Sequence, residues 1–515
     1  MRRTCLLVAA LSALLLLPVS GQERRLSWGD QGNGTYINPI LNGDWSDPDA
    51  IRVGEKYYMV ASDFHFLGMQ ILESDDLVNW RIVTQVYDRF GLPGWAENRH
   101  YAGGSWAPAI RWHDGKFWIY FCTPDEGLFM TQAERPEGPW SPLHCVKAVP
   151  KWEDPCPFWD DDGQAYLGRS QHGAGPIIVH KMSADGRELL DDGVTVYTGP
   201  VAEGTKFLKR DGWYYLSIPE GGVEGGWQTV LRSRSIYGPY EKKVVLEQGT
   251  TDINGPHQGA IVDTPDGQWW FLHFQRAGAL GRVVHLQPMH WSVDGWPVIG
   301  VDIDRNGVGE PVRVWTKPFP DSPARLPQSS DDFAGATLSP QWQWNHDPAD
   351  GAWSLSERPG ALTLHALRAE RFWFARNTLT QRVLGYESEV TAELDFGSIA
   401  AGGRAGLACL GRGSRTFGVA SRDGRIVLCL SDDLQETEVA SLRGRKVWLR
   451  LRLDIPSRAY RFSYSLDGRR FEDCGEPFFI DYGSWKGVRW GIFHYNTLSD
   501  GGAVYFPSAR YEILR

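Results

Sequence analysis

Through the first 300 residues, short runs of aromatic and aliphatic side chains alternate with polar turns built on glycine. The run recurs five times directly behind a glycine: Gly54-Glu55-Lys56-Tyr57-Tyr58, Gly115-Lys116-Phe117-Trp118-Ile119, Gly163-Gln164-Ala165-Tyr166-Leu167, Gly212-Trp213-Tyr214-Tyr215-Leu216 and Gly267-Gln268-Trp269-Trp270-Phe271. Four of these glycines follow an aspartate, the dipeptide that suits a tight hairpin. They lie 61, 48, 49 and 55 residues apart. A period near 50 made of short aromatic strands predicts the blades of a β-propeller, and five copies predict five blades. Hairpins in an ordinary sandwich would need no such period.

Residues 317–330 are rich in proline and serine and read as a linker. Beyond it, alternation of apolar and polar residues returns in Ala361-Leu362-Thr363-Leu364-His365-Ala366, Val447-Trp448-Leu449-Arg450-Leu451-Arg452-Leu453 and Tyr460-Arg461-Phe462-Ser463-Tyr464-Ser465. Such short alternating strands predict a β-sandwich. The expected fold is all-β: a five-bladed propeller over residues 36–316, a linker over 317–330 and a sandwich over 331–515. The first 21 residues read as a secretory signal, with Arg2 and Arg3 before an apolar run, Leu6 to Leu17, and the small residues Ser20 and Gly21 at its end. That predicts export to the periplasm or the exterior. No other apolar stretch is long enough to span a membrane.

Composition narrows the function. With 53 basic and 63 acidic residues the net charge is −10, which argues against a nucleic-acid partner. The 24 tryptophans offer flat faces suited to stacking on sugar rings, or to filling a β-rich core. Beyond Cys5, three cysteines fall in each half without a CxxC pair, so neither a zinc site nor a disulfide framework is expected. Asp302-Ile303-Asp304-Arg305-Asn306-Gly307 starts like a calcium loop, but Arg313 stands where the glutamate ligand belongs, so it reads as a turn.

In a propeller the segment before each aromatic strand should be the innermost strand, lining the central channel. Counting back 7 to 10 residues from each glycine reaches Asp47, Trp106, Asp154, Glu203 and His257. Three carboxylates, 156 positions apart from first to last, would then share one axis. Two carboxyl groups flanking a glycosidic bond are the equipment for hydrolysing it, one giving a proton to the leaving oxygen and the other activating water. A third nearby raises its neighbour's pKa by like charge.

These residues sit in motifs that resemble glycoside hydrolase family 43. The motifs are Asn38-Pro39-Ile40 with Trp45-Ser46-Asp47-Pro48-Asp49, Gly104-Ser105-Trp106-Ala107-Pro108, Glu153-Asp154-Pro155, Ala202-Glu203-Gly204, Gly255-Pro256-His257-Gln258-Gly259, and Gly281-Arg282 followed by Gly295-Trp296-Pro297. The resemblance implies a five-bladed propeller that inverts the anomeric centre, with Asp47 as general base, Glu203 as general acid and Asp154 tuning and orienting that acid. It implies release of xylose or arabinofuranose from an oligosaccharide or polysaccharide, with Phe64, Trp106, His257 and Arg282 shaping the sugar site. An inverting pair should stand roughly 6.5–9.5 Å apart. Two departures touch the choice of sugar: Ala109 follows Trp-Ala-Pro where an acidic residue is common, and Ser62-Asp63-Phe64-His65-Phe66 replaces Ser-Thr-Phe-Glu-Trp.

Residues 331–515 resemble the concanavalin-like sandwich that packs on the propeller in one branch of the family and helps to close the pocket. The resemblance requires no cofactor and no catalytic metal. It allows a structural calcium on the axis, held through water by His257. The pattern fixes no oligomeric state. Two rivals stay open: a non-catalytic sugar-binding protein, and a retaining five-bladed glycosidase of the invertase type. The second needs an Asn-Asp-Pro-Asn element where this chain has Ser46-Asp47-Pro48-Asp49.

Overall fold

The computed structural model describes residues 26–97, 100–432 and 434–515; the predicted signal segment and Cys5 lie outside them. The described chain is nearly all β. Its first part forms a propeller of separate four-stranded antiparallel sheets, each made of four strands consecutive in sequence. The innermost strands are Ser46–Val53, Trp106–His113, Trp152–Trp159, Lys206–Arg210 and His257–Asp263. Each pairs with the aromatic strand that follows its turn. The turns are tight for the reason read in the sequence. Asp114 and Gly115 both have positive φ, 49° and 71°, as do Asp211 and Gly212, 51° and 73°. Positive φ at both central residues is what a two-residue type I′ hairpin requires.

The ring closes without a covalent link. The inner strand His257–Asp263 packs beside Ser46–Val53, and Arg52 pairs with Asp263 at 2.6 Å across that junction. A three-stranded sheet joins Thr35–Ile37 to Val314–Thr316, holding the start and end of the propeller together. Asp302 accepts the amides of Asn306 and Gly307, at 3.1 and 2.8 Å, so the segment that starts like a calcium loop is a turn closed on its own backbone.

The second part is a sandwich of an eight-stranded and a seven-stranded sheet. Its strands alternate as patterned: in Lys446–Asp454 the residues Val447, Leu449, Leu451 and Leu453 are fully buried. The six described cysteines are unpaired. Among the described residues no helix is long and apolar enough to cross a membrane.

The two parts share one continuous apolar core and a polar seam. Arg382, on the sandwich strand Thr378–Arg382, pairs with Asp63 of the propeller. Its Nη1 also donates to Gln343 at 2.9 Å. The sandwich segment around Tyr482–Arg489 is anchored by backbone: the Val488 amide donates to Ala279 O at 2.8 Å, and the Gly487 amide to Asp44 Oδ2 at 3.0 Å. This seam explains the changed Ser62–Phe66 stretch. Asp63 meets Arg382, His65 stacks on His346 at 4.9 Å, and Phe66 bridges to Asn345, all on the second domain. Ala109 is fully buried beneath the ring surface. None of the changed residues lines the pocket described next; Phe64, which keeps the pattern, does.

Candidate active site

Four of the inner strands carry the same irregularity near their first residues. Pairing slips between Ser46 and Asp49, Trp106 and Ala109, Glu153 and Cys156, and His257 and Gly259. At each slip one residue has positive φ: Asp47 at 54°, Ala107 at 36°, Asp154 at 54° and Gln258 at 57°. In the fourth sheet Gly204, at 60°, holds the matching place. Proline follows in three of the five, Pro48, Pro108 and Pro155. It lacks an N–H, and here the ladder asks for none. A regular strand sends neighbouring side chains to opposite faces. A bulge re-aims one of them, so two successive residues can face the same opening.

The repeat therefore has two slots in each sheet. Asp47, Ala107, Asp154, Gly204 and Gln258 hold the positive-φ slot. Ser46, Trp106, Glu153, Glu203 and His257 hold the slot before it. The five positions counted from the hairpin glycines mix the two: Asp47 and Asp154 stand one place later than Trp106, Glu203 and His257.

A pocket of about 340 Å³ opens at this end of the channel, and Asp47, Glu153, Asp154 and Glu203 all line it, with Trp106, Phe64, Gln258 and Arg282. His257 is not in its lining. Its ring is wholly buried, against Phe274 at 5.3 Å, and Gln258 faces the opening instead. Sequence reasoning missed Glu153, Gln258 and Trp485. Trp485 comes from the sandwich and sits 6.3 Å from Trp106, centroid to centroid.

The carboxyl groups have unlike surroundings. Asp47 pairs through Oδ1 with Arg282. Its Oδ2 accepts the hydroxyls of Ser62 at 2.6 Å and Ser46 at 3.0 Å. Arg282 is itself held by its amide, which donates to Asp44 Oδ1 at 2.8 Å. Asp154 Oδ2 accepts the Gly204 amide at 2.8 Å and the Ser170 hydroxyl at 2.9 Å. Burial raises the Asp154 pKa, against the pull of the Gly204 amide. The Glu203 carboxyl has no hydrogen-bond partner among the described residues. Burial, and then the charge of Asp154, push it up to about 8, although Arg282 draws it the other way. Glu153 is pushed to about 9 by burial, then by Asp154 and Glu203. One acid that keeps its proton at neutral pH thus faces a carboxylate paired with a guanidinium across one pocket. That is the division of labour glycoside hydrolysis needs.

A directly bound axial ion does not fit His257. Both ring nitrogens are buried, and burial, then the charge of the Arg282 guanidinium, lowers the ring to about 4; that neighbouring cation, not the neutral ring, opposes a directly bound ion. Among the described residues the group of ligating side chains close enough to share an ion is Glu153, Asp154 and Glu203, within 4.8 Å. Burial raises the pKa of all three, and a protonated carboxyl is a poor cation ligand. No step below passes through a metal.

Both parts of the chain match known protein families. Residues 36–297 match the family model of glycosyl hydrolases family 43. Residues 330–512 match the beta xylosidase C-terminal concanavalin A-like domain. The chain is 58% identical over 464 residues to a Xylanibacter ruminicola protein named "Putative beta-xylosidase", covering 90% of this chain and 87% of that one. It is 36% identical over 544 residues to a beta-xylosidase of Formosa agariphila, covering 93% and 90%. Among solved structures it is similar to the GH43 protein BlXynB of Bacillus licheniformis, with a TM-score of 0.79 and 27% identity over 93% of this chain and 99% of that one.

Proposed function

This chain belongs to glycosyl hydrolase family 43, and from that premise we propose that it is an exported, exo-acting glycosidase that releases xylose with inversion at the anomeric carbon. In this reading the four-stranded sheets are the five blades of one propeller over residues 36–316, joined by the 317–330 linker to the sandwich over 331–515.

The observation that carries the proposal is the convergence of Asp47, Asp154 and Glu203 on one pocket, with Arg282 paired to Asp47. Glu203 donates its proton to the glycosidic oxygen as the bond to the anomeric carbon breaks. Asp47 takes a proton from a water that attacks the opposite face. Asp154 reacts with nothing. It keeps the proton on Glu203 by its charge and fixes the neighbouring backbone through the Gly204 amide. Phe64 and Trp106 give the sugar aromatic surface, and Arg282 offers donors in a fixed fork.

Xylose is favoured because the relatives at 58% and 36% identity are named beta-xylosidases. The two sequence departures do not oppose it: Ala109 is buried and the Ser62–Phe66 changes serve the domain seam. The test is release of phenol from an aryl β-xyloside and from an aryl α-L-arabinofuranoside. A higher kcat/KM on the xyloside is expected. A higher value on the arabinofuranoside would replace the sugar and keep the reaction. Binding of xylan without hydrolysis of either would make the protein a binding module.

A further inference from the structure

Glu153 is the pocket carboxyl that this reaction leaves without a role. It occupies in the third sheet the slot that Glu203 holds in the fourth, each one residue before the positive-φ position, Asp154 and Gly204. Trp106 holds that slot in the second sheet, so Glu153 stands between Trp106 and Glu203 around the opening. It is as open to the pocket as the proposed base: 7% of its surface is accessible, against 6% for Asp47.

Its two oxygens differ. Oε1 lies out of solvent with no hydrogen-bond partner among the described residues. Oε2 is 3.4 Å from Nδ1 of His172, whose ring lies 5.3 Å from Trp106. A partnerless oxygen on a buried charged group is costly, and a proton on the carboxyl relieves the charge. The shift to about 9 agrees with that. A neutral carboxyl both donates and accepts, which suits a sugar hydroxyl.

Depth in the pocket decides which sugar it meets. Asp47, Asp154 and Gln258 are nearly closed off, whereas His172, Val201 and Trp485 are exposed at the rim. Glu153 joins the two levels, close to Glu203 on one side and to His172 on the other. In an exo-acting enzyme the terminal sugar fills the floor, and the unit bearing the leaving oxygen lies towards the rim, on the side of the acid.

We propose that Glu153, with His172 beside it, is a specificity-determining contact to a hydroxyl of the sugar that carries the leaving oxygen, favouring glycosyl over aryl leaving groups. The proposal rests on the glycosidase reading above.

The test compares kcat/KM on xylobiose and on an aryl β-xyloside, from about pH 5 to pH 9, for the full-length protein and its variants. Glu153→Met should lose at least about tenfold more on xylobiose than on the aryl substrate, mainly through KM. Glu153→Gln should recover most of that difference, because an amide also donates and accepts. His172→Ala, at an exposed position, should show the same selectivity in smaller measure. Equal losses on both substrates would overturn the proposal. So would a moved alkaline limb without selectivity, which would make Glu153 a tuner of Glu203 instead. A parent protein that hydrolyses neither xyloside would overturn the underlying reading, and the proposal with it.

Discussion

The backbone amide of Gly204 donates to Oδ2 of Asp154 at 2.8 Å. Gly204 directly follows Glu203, so one side chain both fixes the backbone beside Glu203 and, after burial, adds the charge that raises the Glu203 pKa. Asp154→Asn keeps much of the shape but removes the like charge. The alkaline limb of kcat against pH should move to lower pH, with kcat down roughly tenfold to a hundredfold from looser positioning. A pH profile that keeps its alkaline limb would separate Asp154 from Glu203.

The carboxyl pair also makes stability depend on pH. Glu203 and Glu153 hold their protons up to about 8 and about 9 in the fold, against 4.5 ordinarily. The folded chain therefore binds more protons than the unfolded one between those values. Their contribution is full below about pH 4.5, falls as pH rises, and is lost above the folded pKa values. Glu203→Gln should raise Tm at pH 8 relative to the parent, and more there than at pH 5, with each kcal/mol worth about 1 °C in a chain this long. Thermal melts at both pH values check this. An equal change at both would mean the shift is not expressed in stability.

The acid and base labels separate by leaving group. Glu203→Ala deprives the leaving oxygen of its proton, which matters greatly for xylobiose and little for an acidic phenol. Asp47→Ala leaves water unactivated, which should hurt both substrates alike. Losses of about 10²–10⁴-fold are expected where the missing group is needed. The reverse pattern would exchange the two labels.

Arg382 tests the seam. It is 6% exposed and pairs with Asp63, 1% exposed, across the two domains. Arg382→Ala leaves that carboxylate buried and unpaired, a loss of about 3–5 kcal/mol. Tm should fall by about 3–5 °C. A second substitution, Asp63→Asn, should restore part of it. Activity should fall as well, because Phe64 follows Asp63 into the pocket.

The repeat was legible because its signals are local: a hairpin glycine and the aromatic strand after it act within a few residues. Asp47, Asp154 and Glu203 were legible as motifs. Glu153 was not, because regular alternation sends the neighbour of Asp154 to the opposite face. The one hint was the shared proline of Asp47-Pro48, Ala107-Pro108 and Asp154-Pro155, which marks the bulge. His257 reads as a site residue from its spacing, yet it stands one slot before Gln258 and turns into the core. Trp485 belongs to the other domain and reaches the pocket because Asp44 holds both the Gly487 amide and the Arg282 amide. No pattern near Trp485 announces a contact that the packing of two domains creates.

The most direct test of the whole account is proton NMR of the first sugar released from an aryl β-xyloside, recorded before mutarotation. An acid at Glu203 and a water-activating base at Asp47 predict α-xylose as the first product. β-Xylose as the first product would require a covalent intermediate and a closer carboxyl pair, and would contradict the account.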